Sequence, residues 1–167
     1  MLVVGGTLQE WVLDSQQHWD IRVAEAGKVC SSVGIPWLTL RAYEIGDGPT
    51  VAMTQWTQEV DACTVVVDPC GDGRKRFADA MSRIDASVEV NEATVAAALY
   101  EPADSEPDLV VIVGPSTQLP PSLVWELAYA ELVFVPRSWN EFDATCLAAA
   151  VLEFGSRRRR FGGLDDE

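Results

Sequence analysis

From Leu123 to Phe134 the chain reads Leu-Val-Trp-Glu-Leu-Ala-Tyr-Ala-Glu-Leu-Val-Phe. Trp139-Asn140-Glu141-Phe142-Asp143 follows, and then, near the end, Arg157 to Arg160, Phe161, Gly162 and Gly163. The first stretch closes in a continuous apolar run, Leu132–Val135. A run that is continuous rather than alternating suits a strand buried on both faces, and such strands belong to parallel sheets covered by helices. Four more runs of this kind lie upstream: Leu2–Val4, Trp37–Ala42, Thr64–Val67 and Leu109–Val113. Helical patterns fall between them at Trp19–Val33, Lys75–Ile84, Glu92–Tyr100 and Ser122–Ala130, the last behind Pro120 and Pro121. Strand alternating with helix predicts an α/β fold, a central parallel sheet with helices on both faces joined by right-handed crossovers.

A final helix is expected from Asp143 to Arg159, with Leu147, Val151 and Phe154 on one apolar face. Its arginines would sit in the last turn, where the helix dipole favours cations, and Gly162 and Gly163 would end it. Pro102–Pro107 reads as a solvated loop, and Gly71-Asp72-Gly73-Arg74 as a tight turn, since it lacks the spacing of a phosphate loop. The expected organisation is one domain, 1–156, and a basic tail, 157–167.

The chain has 167 residues and 48% hydrophobic content, enough for a real core. Its charge is 12 − 26 = −14, which argues against nucleic acid as a partner. Four of the twelve basic residues, Arg157 to Arg160, crowd the final eleven positions. Such a cluster in an acidic chain points to a specific anionic target. Cys30, Cys63, Cys70 and Cys146 form no Cys-x-x-Cys pair, and His18 is the only histidine. That spacing does not suit a metal cage and reads as reduced, mostly buried thiols. No basic n-region opens the chain, and no apolar run nears the roughly 20 residues of a membrane span. The expected location is cytoplasmic, with the arginine run able to meet an anionic membrane surface.

Read in order, these segments resemble the cis-prenyltransferases, the undecaprenyl diphosphate synthase family. That family carries Trp-Gln-x-Ala-Tyr-x-Glu, then Trp-Pro-x-Phe, then a terminal Arg-Arg-Phe-Gly-Gly. Val33-Gly34-Ile35-Pro36-Trp37-Leu38-Thr39-Leu40-Arg41-Ala42-Tyr43 resembles its Leu-Gly-Ile-x-x-Leu-Thr-Leu-Tyr-Ala-Phe, and Gly71-Asp72-Gly73-Arg74 stands at its Tyr-Gly-Gly-Arg turn. Pro107-Asp108-Leu109-Val110-Val111 resembles the strand before its Arg-Thr-Gly-Gly-Glu. The departures concern the active site. The family's Asp-Gly-Asn-Gly-Arg-Trp holds Mg²⁺ and diphosphate, whereas Gly5-Gly6-Thr7-Leu8-Gln9-Glu10-Trp11 stands here, with the Trp kept and the Asp lost. Arg-Thr-Gly-Gly-Glu and Arg-x-Ser become Ile112-Val113-Gly114-Pro115-Ser116 and Gln118-Leu119-Pro120, so both arginines are gone. Only about seventeen residues join Tyr43 to Asp61, where the family inserts two long helices, one of them lining the product tunnel.

The resemblance therefore implies a chain with no catalytic residue in cis, no cofactor of its own, and Mg²⁺ in a partner's site. It resembles the catalytically empty Nogo-B-receptor-type subunit of heterodimeric members. There the C-terminal Arg-x-Gly, here Arg160-Phe161-Gly162, reaches isopentenyl diphosphate in the partner's site. The partner would be a catalytic cis-prenyltransferase. A guanidinium suits phosphate, and glycine permits close approach. The plain reading of Arg160 and Gly162 is a basic helix end with a glycine stop. Glu131, at the family's metal-associated Glu, stands open between a functional carboxylate and an interface acid. Trp125, Tyr129 and Trp139 are expected in core or interface packing. Two further readings remain: a pseudoenzyme interaction or regulatory module, and an independent short-chain prenyl diphosphate synthase.

Overall fold

The computed structural model describes residues 1–44 and 52–157. Along the chain lie β1 (Leu2–Gly5), α1 (Leu8–Leu13), α2 (Gln16–Ser32), β2 (Trp37–Arg41), β3 (Trp56–Val60) and β4 (Cys63–Asp68). Then come α3 (Gly73–Arg83), α4 (Glu92–Tyr100), β5 (Leu109–Val113), β6 (Glu131–Val135) and α5 (Ala144–Ser156). One sheet runs in the order β3-β4-β2-β1-β5-β6. All neighbours pair in parallel except β3, which lies antiparallel on β4 at one edge.

Each apolar run read from the sequence is a strand, and alternate residues serve opposite faces. Val3, Val65, Val67, Val111, Val113 and Val133 join one core, which α2 and α5 cover. Leu2, Val4, Val110 and Ile112 form a second core on the other face with Leu123. Beyond it α3 and α4 pack together around Ala80, Val95 and Leu99. Local chemistry marks the helix ends. The Ser15 hydroxyl accepts from His18 N–H, Asn91 from Thr94 N–H and Asp143 from Cys146 N–H, each at the start of a helix. At the end of α2, Gly34 adopts φ +76 and donates to Ser31 O, while Ile35 donates to Cys30 O. That pair of bonds is a Schellman closure, and it needs a residue at ease with positive φ.

Several elements differ from the sequence reading: helix α1 has no counterpart in it, and Gly73-Arg74, expected in a tight turn, open α3 behind the Asp72 cap. Strand β3 carries no continuous apolar run: Thr57 and Glu59 face solvent and Val60 is buried, so a one-sided edge strand escaped notice. Ser122–Ala130 is not a helix; only a 3-10 turn, Glu126–Ala128, forms there. Tertiary contacts override its helical pattern, because the Glu126 carboxylate is drawn inward to two arginines. Helix α5 ends at Ser156, and Arg157 caps it in extended geometry, so Arg157 is not in a helical turn. Arg158, Arg159 and Arg160 lie outside the described residues. Among the described residues no helix is long and apolar enough to cross a membrane.

Candidate functional site

In an open α/β sheet, ligands bind beyond the carboxyl ends of strands where the chain order reverses. Here the chain moves from β1 through β2 to β4 on one side, then crosses to β5 and β6 on the other. The reversal lies between β1 and β5, where Gly5 is in register with Val113. The two segments to which the resemblance assigns diphosphate binding therefore meet at this one place: 5–10 at and after the end of β1, and 112–118 at and after the end of β5. Between them they carry one carboxylate, Glu10, and no cation.

The crevice is also laced shut. Tyr43, just past β2, donates its N–H to Gly6 O at 2.7 Å, and its hydroxyl donates to Gln118 O at 3.1 Å. Its ring passes Gly114. Leu8 N–H bonds Glu44 O at 3.0 Å. A capping box at the start of α1 takes up two more donors. Glu10 N–H bonds the Thr7 hydroxyl at 3.1 Å, and Thr7 N–H bonds the Glu10 carboxylate at 2.7 Å. This capping box puts a negative charge where a phosphate would dock. From the other side Trp139 closes on the glycines: a Cβ on Gly6 would lie 2.7 Å from the Trp139 ring and 2.8 Å from Trp11 Nε1. Gly6, at φ +67, has neither the room nor the backbone for a metal-binding side chain. The residues at this point do not fit Mg²⁺, which requires oxygen ligands.

At the ends of β2 and β4 lies a charge cluster that the sequence reading missed. Arg41 donates from Nε to Asp68 at 2.9 Å and from Nη1 to Glu126 at 2.7 Å. Arg76 reaches Glu126 at 3.3 Å and Asp68 at 3.4 Å. All four residues are buried. Burial alone would raise the Glu126 carboxyl, but the Arg41 and Arg76 charges outweigh it and hold the pKa below its ordinary value. Burial and the like charge of Arg41 lower Arg76. Tyr100, its hydroxyl buried beside the cluster with no hydrogen-bond partner among the described residues, is pushed up by burial and then by Glu126, and stays neutral. A signal was available in the sequence. Arg41 stands at the family's Tyr in Leu-Thr-Leu-Tyr, and Glu126 at its Gln in Trp-Gln; the two departures meet in one ion pair.

The remaining candidates lie apart from the crevice. Glu131 opens β6 in register with Leu109, at the far end of the strands from Gly5, about 13 Å away at roughly 3.3 Å per residue. Its carboxylate sits 4.0 Å from Arg157 Nη1, and Arg157 also donates to Leu132 O. The described start of the tail is thus fastened to the free edge of β6. Trp125 stacks on Phe77 and donates Nε1 to Glu106. Tyr129 is 81% exposed, whereas Trp139 is 3% exposed and stacked between Trp11 and Phe142. Arg160, Phe161 and Gly162 lie outside the described residues.

Comparison with known proteins agrees with this fold. Residues 50–162 match the prenyltransferase family described as "Putative undecaprenyl diphosphate synthase". The match spans more than half of the chain, and the chain belongs to that family. It is similar to isoprenyl transferase 2 of Bradyrhizobium diazoefficiens, with 43% identity over 75 residues, 45% of this chain and 30% of the relative. The isoprenyl transferase of Thermotoga maritima is 33% identical over 114 residues, 65% of this chain and 49% of the relative. Isoprenyl transferase 1 of Streptomyces coelicolor is 38% identical over 117 residues, 64% and 42%. The matched part spans half or less of the length of each of these relatives. The segment 5–10 lies outside the family match, whereas Arg160-Phe161-Gly162 lies inside it.

Proposed function

We propose that this chain is a non-catalytic subunit of a heterodimeric cis-prenyltransferase, similar in kind to the Nogo-B-receptor-type subunit. The observation that carries the reading is the state of the strand-order reversal. The two segments that would hold diphosphate supply no cation there, present the Glu10 carboxylate, and are bridged by Tyr43. A reaction that must neutralise a leaving diphosphate has no electrophilic support in such a site. The partner supplies the Asp-Gly-Asn-Gly-Arg site, its Mg²⁺ and the product tunnel. This chain supplies contact surface and Arg160-Phe161-Gly162, which touches isopentenyl diphosphate in trans. The exposed side chains of Leu127 and Tyr129, in the segment that leads into the edge strand β6, with Glu131 and Arg157 at its start, support a contact surface there. The complex works in the cytoplasm, where the arginine run can meet anionic lipid at the membrane surface.

The test is incorporation of radiolabelled isopentenyl diphosphate onto farnesyl diphosphate with Mg²⁺. The chain is assayed alone, then with a cis-prenyltransferase homologue from the same genome expressed beside it. Turnover only in the mixture, reduced by Arg160→Ala with the dimer intact, is the expected result. EDTA-sensitive turnover by the chain alone would make it an independent synthase. A stable complex whose turnover survives truncation after Ser156 would make it an interaction module.

A further inference from the structure

A second feature lies away from the strand-order reversal, on the face covered by α2 and α5. Arg22 projects from α2 toward the segment between β6 and α5. Its Nη1 donates to Trp139 O at 3.2 Å and to Phe142 O at 2.8 Å. The guanidinium carbon sits 4.4 Å from the centroid of the Trp139 ring. Two main-chain carbonyls and an aromatic face hold the group in place, yet none of them neutralises it. Among the described residues no carboxylate lies within ion-pair distance of Arg22, and its Nε has no hydrogen-bond partner. Asp14, whose field favours the charge, is bonded to His18 Nδ1 at 2.7 Å. Burial lowers the pKa of Arg22, the expected mark of a cation taken from water without a counter-ion.

The same guanidinium lines a cleft of about 250 Å³. The lining also includes Ala26, Leu40, Phe142 and Leu147, each at most 5% exposed. His18, Glu25, Asn140 and Asp143 contribute its polar part. A fixed cation without a counter-ion, beside apolar walls, is complementary to a small amphiphilic anion. The polar lining narrows the choice. Glu25 and Asp143 are carboxylates, so a phosphate dianion would meet two like charges while gaining one guanidinium. A monocarboxylate places its single charge on Arg22 and its apolar body against Ile21 and Ala144, the apolar lining residues that solvent reaches. The volume lies below the roughly 300–1,000 Å³ of drug-sized pockets, so the ligand is small.

We propose that the cleft between α2 and the start of α5 binds a small monocarboxylate with a short apolar body, anchored by Arg22. This site is independent of the subunit reading, and its test uses the chain alone. Sodium hexanoate is titrated into the ¹⁵N-labelled full chain, and the Trp139 indole resonance is followed. 1-Hexanol, hexylammonium and inorganic phosphate serve as comparisons. The expected result is saturable binding of hexanoate, about tenfold tighter than 1-hexanol, as suits a charge-assisted contact. Arg22→Gln should remove that preference. Ala144→Leu, which fills the cleft without touching the cation, should abolish binding while the melting transition stays cooperative. No saturable shift with hexanoate would overturn the proposal. So would equal binding of 1-hexanol, tighter binding of phosphate, or full hexanoate affinity in Ala144→Leu.

Discussion

Arg41 Nη1 and Glu126 Oε1 lie 2.7 Å apart, joining residues 85 positions distant, with side chains 2% and 0% exposed. This pair ties the end of β2 to the irregular segment between β5 and β6. With Arg76 and Asp68 it forms a buried cluster of two cations and two carboxylates, so the cluster is neutral in sum. Removing one member leaves the remaining charges unbalanced in a largely buried site. Glu126→Gln should therefore cost about 3 kcal/mol of stability, far more than an exposed ion pair would. Urea unfolding measures it. Replacing Arg41 and Glu126 together by methionine should cost less than the sum of the single changes. Strict additivity would mean that the two do not act as a unit.

The same pair sets an acid limb. The folded-state pKa of Glu126 lies below its ordinary value, because Arg41 and Arg76 outweigh burial. A depressed carboxyl contributes stability that is fully present above the unfolded pKa, about 4.3, and lost as pH falls through the folded value. The wild-type protein should lose stability steadily as pH drops below about 5. Glu126→Gln should show a shallower acid limb between its own midpoint and neutral pH. Parallel curves for the two proteins in thermal melts across that range would assign the acid limb to other carboxyls.

Gly6 tests whether the crevice can be turned back toward metal binding. A side chain there meets the rings of Trp139 and Trp11 within 3 Å, at φ +67. Gly6→Asp should destabilise the fold by about 1–3 kcal/mol, through overpacking and a backbone that suits glycine. It should confer no Mg²⁺-dependent turnover on the chain alone. Turnover gained by this single change would show that only the carboxylate was missing.

Gly27 reports on the packing of α2 against the edge strand. A Cβ at this position would fall 2.5 Å from Val60 Cβ, in the buried core. Gly27 sits within a helix, where alanine would otherwise gain roughly 1 kcal/mol. Gly27→Ala should nonetheless lower stability, by about 1–3 kcal/mol, since Val60 is held in β3 and must be displaced. A stabilised variant in thermal unfolding would mean that β3 moves away freely.

Much of the fold is legible in particular residues. Leu109–Val113 appears in the sequence as an unbroken apolar run and in the structure as a strand with those bounds. Thr64–Val67 needed only one residue more at each end. Glu92–Tyr100 is a helix with the expected bounds, begun by the Asn91 cap. What escaped has one-sided burial or depends on distant partners. Strand β3 buries one face only, so its pattern is mixed. Ser122–Ala130 has helical composition, but the Glu126 side chain is claimed by Arg41 and Arg76 from β2 and α3. The candidate site divides in the same way. The loss of cations at 5–10 and 112–118 can be read from the residues alone, whereas the bridging by Tyr43 cannot.

The sequence by itself determined the α/β class, the parallel strands, the family resemblance and the absence of phosphate-binding cations from the two segments. Those properties are local: they depend on residue type and on spacings that a linear chain displays. Only the tertiary structure decided that the two segments meet at one strand-order reversal, that Tyr43 and Trp139 close it, and that Arg41 finds Glu126. It likewise set Arg22 at the cleft beside α5 with no ion-pair partner among the described residues. Such pairings are fixed by sheet register and crossover, which bring together side chains that no sequence interval relates.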